Sequence, residues 1–329
     1  MLVAQAAYHL DELLPLRDEL GRRGIPATVA IPEPPRRPLH RLRPAVRRHR
    51  QLLRAIEGRA PVGAPTAASG LLAGAGAFVV MNDWGAATSS LVSAARAGGI
   101  PTIGWVEGVQ DFADIDTGRS RRAYRTVDHV MTLGSYDAGQ LAGVPTTVVG
   151  SGRLRRLWDA EPAAGDDVVA VNCNFTYRVL EEHRRAWLRS VRSAGADAGV
   201  ALQVSQHAAD RALLDPRTRT SEPVGALLQR ASVFVSRFST VCYEALVRGV
   251  PLAYHNPHGE QVPTFRDPQG AFDLTAGVAD LGEVLRRERP DGRAVRAAAG
   301  AFLEHHLRLD GPPPELVAGD VVADLRVEA

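Results

Sequence analysis

Lysine is missing altogether: all 39 basic residues of this 329-residue chain are arginine. The absence excludes a P-loop lysine, a Schiff-base nucleophile and a pyridoxal phosphate anchor. Cysteine is nearly missing as well. Cys173 and Cys242 are too few for a disulfide framework or a cysteine metal site, and they read as the reduced, buried thiols of a cytosolic protein. No apolar run is long enough to span a bilayer, and the start, MLVAQAAYHLDELLPL, lacks a basic segment and meets acids by Asp11 and Glu12. The expected location is therefore cytoplasmic, without the usual secretion signal. Net charge is also small, +2 at pH 7 with histidine neutral, so overall charge does not point to nucleic acid.

What is present is an ordinary globular composition over a length that suits about two domains. Apolar runs at residues 2–7, 27–31, 77–81, 101–106, 129–133 and 146–149 alternate with helix-like segments, the first over 11–24. Gly24, Gly98, Gly99 and Gly143 stand at helix ends, as expected where helices lead into strands of a parallel sheet. After Trp158 the polar stretch DAEPAAGDD reads as a linker, dividing a domain 1–158 from a domain 159–329. The alternation then restarts, with strands at 168–172, 201–205, 233–236 and 252–255 and a helix over 180–193. From residue 293 onward the pattern is helical, broken at 311–314. Two doubly wound, Rossmann-like halves imply an α/β protein with a cleft facing the carboxyl ends of the strands. That rule collects His9, Asn82, Asp83, Glu107, Thr176, Tyr177, His207 and the segments 236–240 and 255–260.

The segment ASVFVSRFSTVCYEALVRGVPLAYHNPHGE, residues 231–260, is the most specific of these. Two buried-strand patterns flank a helix that starts at Ser239 and Thr240, where hydroxyls, backbone N–H groups and the helix dipole suit a phosphate. Ser239 also reads simply as an N-cap. His207 or Arg237 would add positive charge to such a phosphate site without a metal, and Ser236 precedes Arg237 at the strand end. Glu244 and Glu260 are candidates for ribose hydroxyls, since a carboxylate accepts two hydroxyl hydrogen bonds. Glu107, or alternatively His9, is the candidate general base. Each has a structural reading beside it: Glu107 as a loop acid paired with an arginine of the 119–125 cluster, His9 as a helix-start residue before Asp11. His255 and His258 share a loop but lack a further ligand at zinc spacing, and the Asp-x-Asp within DFADID is only a short pattern, so no metal is expected.

Residues 36–59, from Arg36 to Arg59, carry nine arginines, with Leu42, Val46, Leu53 and Ile56 on one helical face. Such a basic amphipathic helix suits an anionic lipid surface, which would place the protein at the inner membrane face, or an anionic polymer. A solvated arginine-rich face is the plain alternative. No aromatic residue interleaves with these arginines, which disfavours single-stranded nucleic acid.

Taken together, these residues resemble a glycosyltransferase of the GT-B type. More narrowly they resemble the capsule, polysialic-acid and teichoic-acid polymer transferases that include CDP-glycerol glycerophosphotransferases. SRFSTVCYEALVRGVPLAYHN is similar to that family's strand, serine-rich turn, helix, Gly-x-Pro and strand block. SQHAAD at 205–210 is similar to its His-Pro element, with Ala208 in place of proline. VEGVQDF at 106–112 stands where the family has a strand ending in His-Gly, with Glu107 in place of the histidine that is its presumed base. The resemblance implies an N-terminal acceptor domain and a C-terminal nucleotide-donor domain. It implies donor phosphates held by Ser236, Ser239, Thr240 and His207, and it favours Glu244 as a structural helix acid. It further implies no cofactor beyond a nucleotide-sugar or CDP-polyol donor, and a hydroxyl acceptor, polymeric or lipid-linked, in surface-polysaccharide or secondary-metabolite glycan synthesis. A nucleotide-sugar 2-epimerase or hydrolase on the same fold, or a non-catalytic nucleotide-binding protein, are the competing expectations; the epimerases usually carry a Gly-rich turn where this chain has SRFST.

Overall fold

The computed structural model describes residues 1–31, 72–83, 86–109, 112–113, 123–163, 165, 168–175, 180–206, 219–220 and 222–327. The basic segment 36–59, the Asp-x-Asp motif, Thr176, Tyr177 and His207 lie outside them. The chain forms two compact units: Met1–Glu107 with Arg122–Arg155 and His306–Ala329, and Gly108–Arg121 with Arg156–His305.

In the first unit, strands β1 (Leu2–Val3), β2 (Val29–Ala30), β3 (Phe78–Val80), β4 (Thr102–Trp105), β5 (His129–Thr132) and β6 (Thr146–Val148) form one parallel sheet in the order β2-β1-β3-β4-β5-β6. Strands β3, β4 and most of β5 are buried. That explains why they read as short continuous apolar runs rather than alternating ones. Helices α1 (Leu10–Arg22), α2 (Ala86–Ala97) and α3 (Ser135–Gln140) belong to this unit, and α4 (Gly152–Asp159) spans the division between the two. Gly24, at φ 72°, closes the end of α1 in a conformation that favours glycine.

The second unit repeats the plan. Strands β7 (Val168–Cys173), β8 (Leu202–Gln206), β9 (Arg219–Thr220), β10 (Ala231–Ser236), β11 (Leu252–His255) and β12 (Asp273–Thr275) form a parallel sheet in the order β12-β11-β10-β7-β8-β9. Val233 and Val235 of β10 share a core with Val169, Val171, Trp187 and Leu281, while the alternate residue Phe234 is buried outside that cluster. This is the period-two geometry of a strand covered on both faces. Its helices are α5 (Arg184–Ala198), α6 (Val224–Leu228), α7 (Val241–Val247), α8 (Val278–Arg286) and most of α9 (Gly292–His306).

The last helix, α10 (Pro314–Val327), belongs to the first unit, although the domain division read from the sequence assigned residues 159–329 to the second. Ala318, Val321 and Val322 complete the core formed by Leu13, Leu16 and Leu20 of α1. Arg23 then clamps the helix, bonding Asp320 Oδ1 at 2.5 Å and the Leu316 carbonyl at 3.0 Å. An amphipathic pattern specifies that a helix buries one face; it does not specify which sheet or helix receives it.

Glycine makes the return possible. A Cβ on Gly134 would lie 2.4 Å from the carbonyl carbon of His306, and one on Gly150 would lie 2.8 Å from the Arg308 carbonyl oxygen. Both obstacles are backbone, which has little room to yield. Gly134→Ala is therefore expected to destabilise the first unit by about 1–3 kcal/mol through overpacking, read as a shift of the urea midpoint. An unchanged midpoint would mean that the chain end does not pack this closely.

Candidate active site

His9 and Glu107, the two alternative bases of the sequence reading, are brought together. His9 ends a single 3-10 turn after β1, Glu107 follows β4, and their side chains are in direct hydrogen-bond contact, Nε2 to Oε2. The Gln5 backbone N–H donates to His9 Nδ1 at 3.1 Å. A nitrogen that accepts a hydrogen bond carries no proton, so the neutral ring holds its proton on Nε2 and donates it to the carboxylate. Two further donors converge on Glu107: the Tyr8 hydroxyl on Oε2 at 3.0 Å and Asn82 Nδ2 on Oε1 at 3.2 Å. The Asn82 amide is oriented in turn by the Thr88 hydroxyl, which donates to its Oδ1 at 3.3 Å. His9 is 1% exposed and the Glu107 side chain 13%, so solvent reaches the carboxylate and hardly reaches the ring. The arginine pairing considered for Glu107 involves the 119–125 cluster, most of which lies outside the described residues.

The serine turn of the second unit divides into framework and exposed parts. Ser236 is fully buried, donating to the Arg237 carbonyl at 2.8 Å and accepting from Asn172 Nδ2 at 3.3 Å. Ser239 and Thr240 are half-buried. Ser239 Oγ accepts the Val241 N–H at 3.2 Å, but the N-cap of α7 is Thr240, one residue further on, and its side chain makes no capping bond. The backbone N–H groups of Ser239 and Thr240 donate to nothing among the described residues. Glu244 is buried on α7, with Gly225 of α6 close by: a Cβ there would lie 4.0 Å from its Oε2.

Arg237 and Glu260, both expected at the donor, are instead paired with each other in the interior. Arg237 Nε donates to Glu260 Oε2 at 2.7 Å, and neither side chain is exposed. The guanidinium lies 4.0 Å from the Phe175 ring centre and 4.4 Å from that of Phe238, and Nη1 donates to the Asn174 carbonyl at 3.0 Å. Glu260 also accepts the Phe238 N–H at 3.0 Å, His258 Nε2–H at 3.2 Å and the Tyr254 hydroxyl. Burial by itself would push this carboxyl up. The bond from His258, the charge of Arg237 and the bonds from Tyr254 and the Phe238 amide outweigh it and hold the carboxyl below its ordinary value. These two residues fasten the loop after β11 to the end of β10; the rule that collects residues at strand ends does not separate such fasteners from groups that meet a ligand.

His255 is likewise structural. Its ring nitrogens meet Ser190 Oγ and Thr275 Oγ1, each at 2.9 Å, and burial lowers its pKa from 6.5 to about 4. The unfolded chain therefore binds a proton below pH 6.5 that the folded chain refuses until about pH 4. Stability contributed by this residue is full above pH 6.5 and falls as pH drops toward 4, by at most about 3 kcal/mol. His255→Gln should flatten that part of the pH dependence in urea titrations; an identical slope would show that the ring titrates freely. Among the described residues no group of three His, Cys, Asp or Glu side chains is placed to hold a metal ion.

Tyr8 was not singled out in the sequence. Its only signal is adjacency to His9, because its partner Glu107 is 99 residues away. Glu12, also missed, is buried and accepts from Ser151 Oγ at 2.5 Å and the Gly152 amide at 2.7 Å, holding the start of α4. No described helix is long and apolar enough to cross a membrane.

No protein-family model and no curated protein sequence matches the chain. Solved structures do. The wall teichoic acid polymerase TagF is similar over 99% of this chain and 88% of its own, at 11% identity and a TM-score of 0.60. Spinosyn forosaminyltransferase SpnP is similar over 98% of each chain, at 17% identity and a TM-score of 0.57. A putative UDP-N-acetylglucosamine 2-epimerase from Listeria monocytogenes is similar over 95% of this chain and 97% of its own, at 12% identity and a TM-score of 0.57. With two parallel sheets flanked by helices and these structural neighbours, the chain has the α/β fold of the GT-B glycosyltransferases.

Proposed function

We propose that this protein transfers a sugar or a polyol phosphate from a nucleotide-activated donor to an acceptor hydroxyl, with Glu107 as general base. The observation that carries the reading is the convergence of Tyr8, His9 and Asn82 on one partly exposed carboxylate at the end of β4. Both His9 nitrogens are engaged in the resting arrangement, so His9 acts as the positioning group and Glu107 as the proton acceptor. The Glu107 carboxylate takes the proton of the acceptor hydroxyl as that oxygen bonds to the electrophilic carbon or phosphorus of the donor. The bond from that atom to the departing phosphate oxygen breaks, and its electron pair leaves with the nucleotide.

The second unit supplies the donor elements of this reading. The Ser239 and Thr240 amides, with the positive end of α7, suit the donor phosphates, joined by His207 as the resemblance implies. The polymerase and the forosaminyltransferase among the structural neighbours support a nucleotide-activated donor; the acceptor in this reading is a cell-surface or secondary-metabolite glycan. A cytoplasmic location, with contact to an anionic lipid or polymer through residues 36–59, completes the proposal.

The test is a thermal-shift screen against CDP, UDP, GDP, CMP and their sugar or glycerol conjugates. A ligand at a hundredfold excess over its Kd adds about 2.7 kcal/mol of stability. One nucleotide class should raise the midpoint, less so in Ser239→Ala, and its conjugate should then be turned over only with an acceptor present, equally well in EDTA. Turnover of donor alone would favour the epimerase or hydrolase reading. No shift with any nucleotide would favour a non-catalytic role.

A further inference from the structure

Tyr124 has no sequence signal and no place in the chemistry above, yet it is one of three non-glycine residues with positive φ among those described, at 57°. An outlier of this kind persists only where its surroundings over-determine it. Here they do. Asp83, 2% exposed, accepts the Tyr124 N–H on Oδ1 at 2.8 Å, and on Oδ2 it accepts the Thr126 N–H at 3.1 Å and the Thr126 hydroxyl at 2.5 Å. The ring is fully buried over Gly104 of β4, where a Cβ would stand 2.7 Å from Tyr124 Cδ1. Any other residue at 104 would displace the ring.

The outcome of this arrangement is the position of a single hydroxyl. Tyr124 Oη donates to the Met81 carbonyl at 2.8 Å and accepts the Glu107 N–H at 3.0 Å. Met81 follows β3 and Glu107 follows β4, so the phenol ties together the two strand ends that present Asn82 and Glu107. A hydroxyl that donates to one group and accepts from another has its direction fixed at both ends. We infer that Tyr124, held in its left-handed conformation by Asp83 and accommodated by Gly104, is a positioning residue that fixes the Glu107 backbone so that the carboxylate meets His9, Asn82 and Tyr8. The catalytic part of this inference rests on Glu107 being the base; the geometric part does not.

The test reads the two parts separately. In ring-nitrogen-labelled protein, the His9 Nε2–H proton bound to Glu107 gives a slowly exchanging NMR signal, with His9→Ala as its control. In Tyr124→Phe, which removes only the hydroxyl, this proton should exchange at least about tenfold faster. Gly104→Ala keeps the hydroxyl but displaces the ring, and it should show the same change even if Tyr124→Phe fails to fold. Once a donor and acceptor are known, either variant should lower kcat by about 100-fold, the cost of misplacing a reacting group by about 1 Å, with KM for the donor within about twofold of wild type. Wild-type exchange of the His9 proton in a folded variant overturns the positioning role. Faster exchange with wild-type kcat leaves Tyr124 fixing Glu107 and instead removes Glu107 from the base role.

Discussion

Glu107→Gln is expected to lower kcat by about two to four orders of magnitude, the usual contribution of a positioned general base, while nucleotide binding in the thermal-shift assay stays as in wild type. Glutamine keeps the volume and one acceptor oxygen, but it cannot accept a proton from an acceptor hydroxyl. Its amide also meets a donor whichever way it is turned, Asn82 Nδ2 on one side or His9 Nε2 on the other. The Asn82 amide is held by Thr88, and His9 has its proton on the facing nitrogen, so at least one donor is set against another. His9→Ala should cost less, because the carboxylate remains and loses only one of its three side-chain donors. The ordering is the critical result. If His9→Ala proves more damaging than Glu107→Gln, the proton travels the other way along this pair, and His9 is the base with Glu107 as its orienting partner.

Arg237→Met should destabilise the protein by about 3–5 kcal/mol, the cost of leaving one partner of a buried ion pair without the other. Both side chains are wholly buried, and methionine fills the space between Phe175 and Phe238 without supplying a charge for Glu260. Adding Glu260→Gln should restore part of the loss, since the neutral amide can still accept the Phe238 N–H. Equilibrium unfolding in urea measures both. The effect is one of stability rather than of donor recognition, and nucleotide shifts should persist in the folded fraction. A single variant within about 1 kcal/mol of wild type would mean that the pair is solvated and loosely held, which would return Arg237 and Glu260 to the list of groups able to meet a donor.

The difference between these two pairs explains how much of the site was legible beforehand. His9, Glu107, Arg237 and Glu260 all follow predicted strands and all carry the right chemistry, so the strand-end rule selects them equally. Their roles separate on exposure and on partners. Arg237 and Glu260 are turned inward, the guanidinium against two phenylalanine rings, whereas Glu107 keeps an exposed edge. Ser239 illustrates the same point on a smaller scale: a hydroxyl before a helix is as good a cap as a ligand, and here it accepts the Val241 N–H while Thr240 takes the cap position. Tyr124 was invisible because its backbone conformation depends on Asp83, 41 residues earlier in the chain, and on the missing side chain of Gly104.

By itself the sequence determined the alternation of buried strands and amphipathic helices, the two parallel sheets and the helix endings. Each follows from interactions within a few residues: continuous apolar runs for strands covered on both faces, and glycine where the chain must turn with positive φ. The tertiary structure decided which residues meet. It placed His9 against Glu107 across 98 positions, closed Arg237 on Glu260, and returned the last helix to the first unit. Local pattern could not decide these, because a hydrophobic stripe or a charged side chain specifies the kind of surface it needs, and only the completed packing determines which surface supplies it.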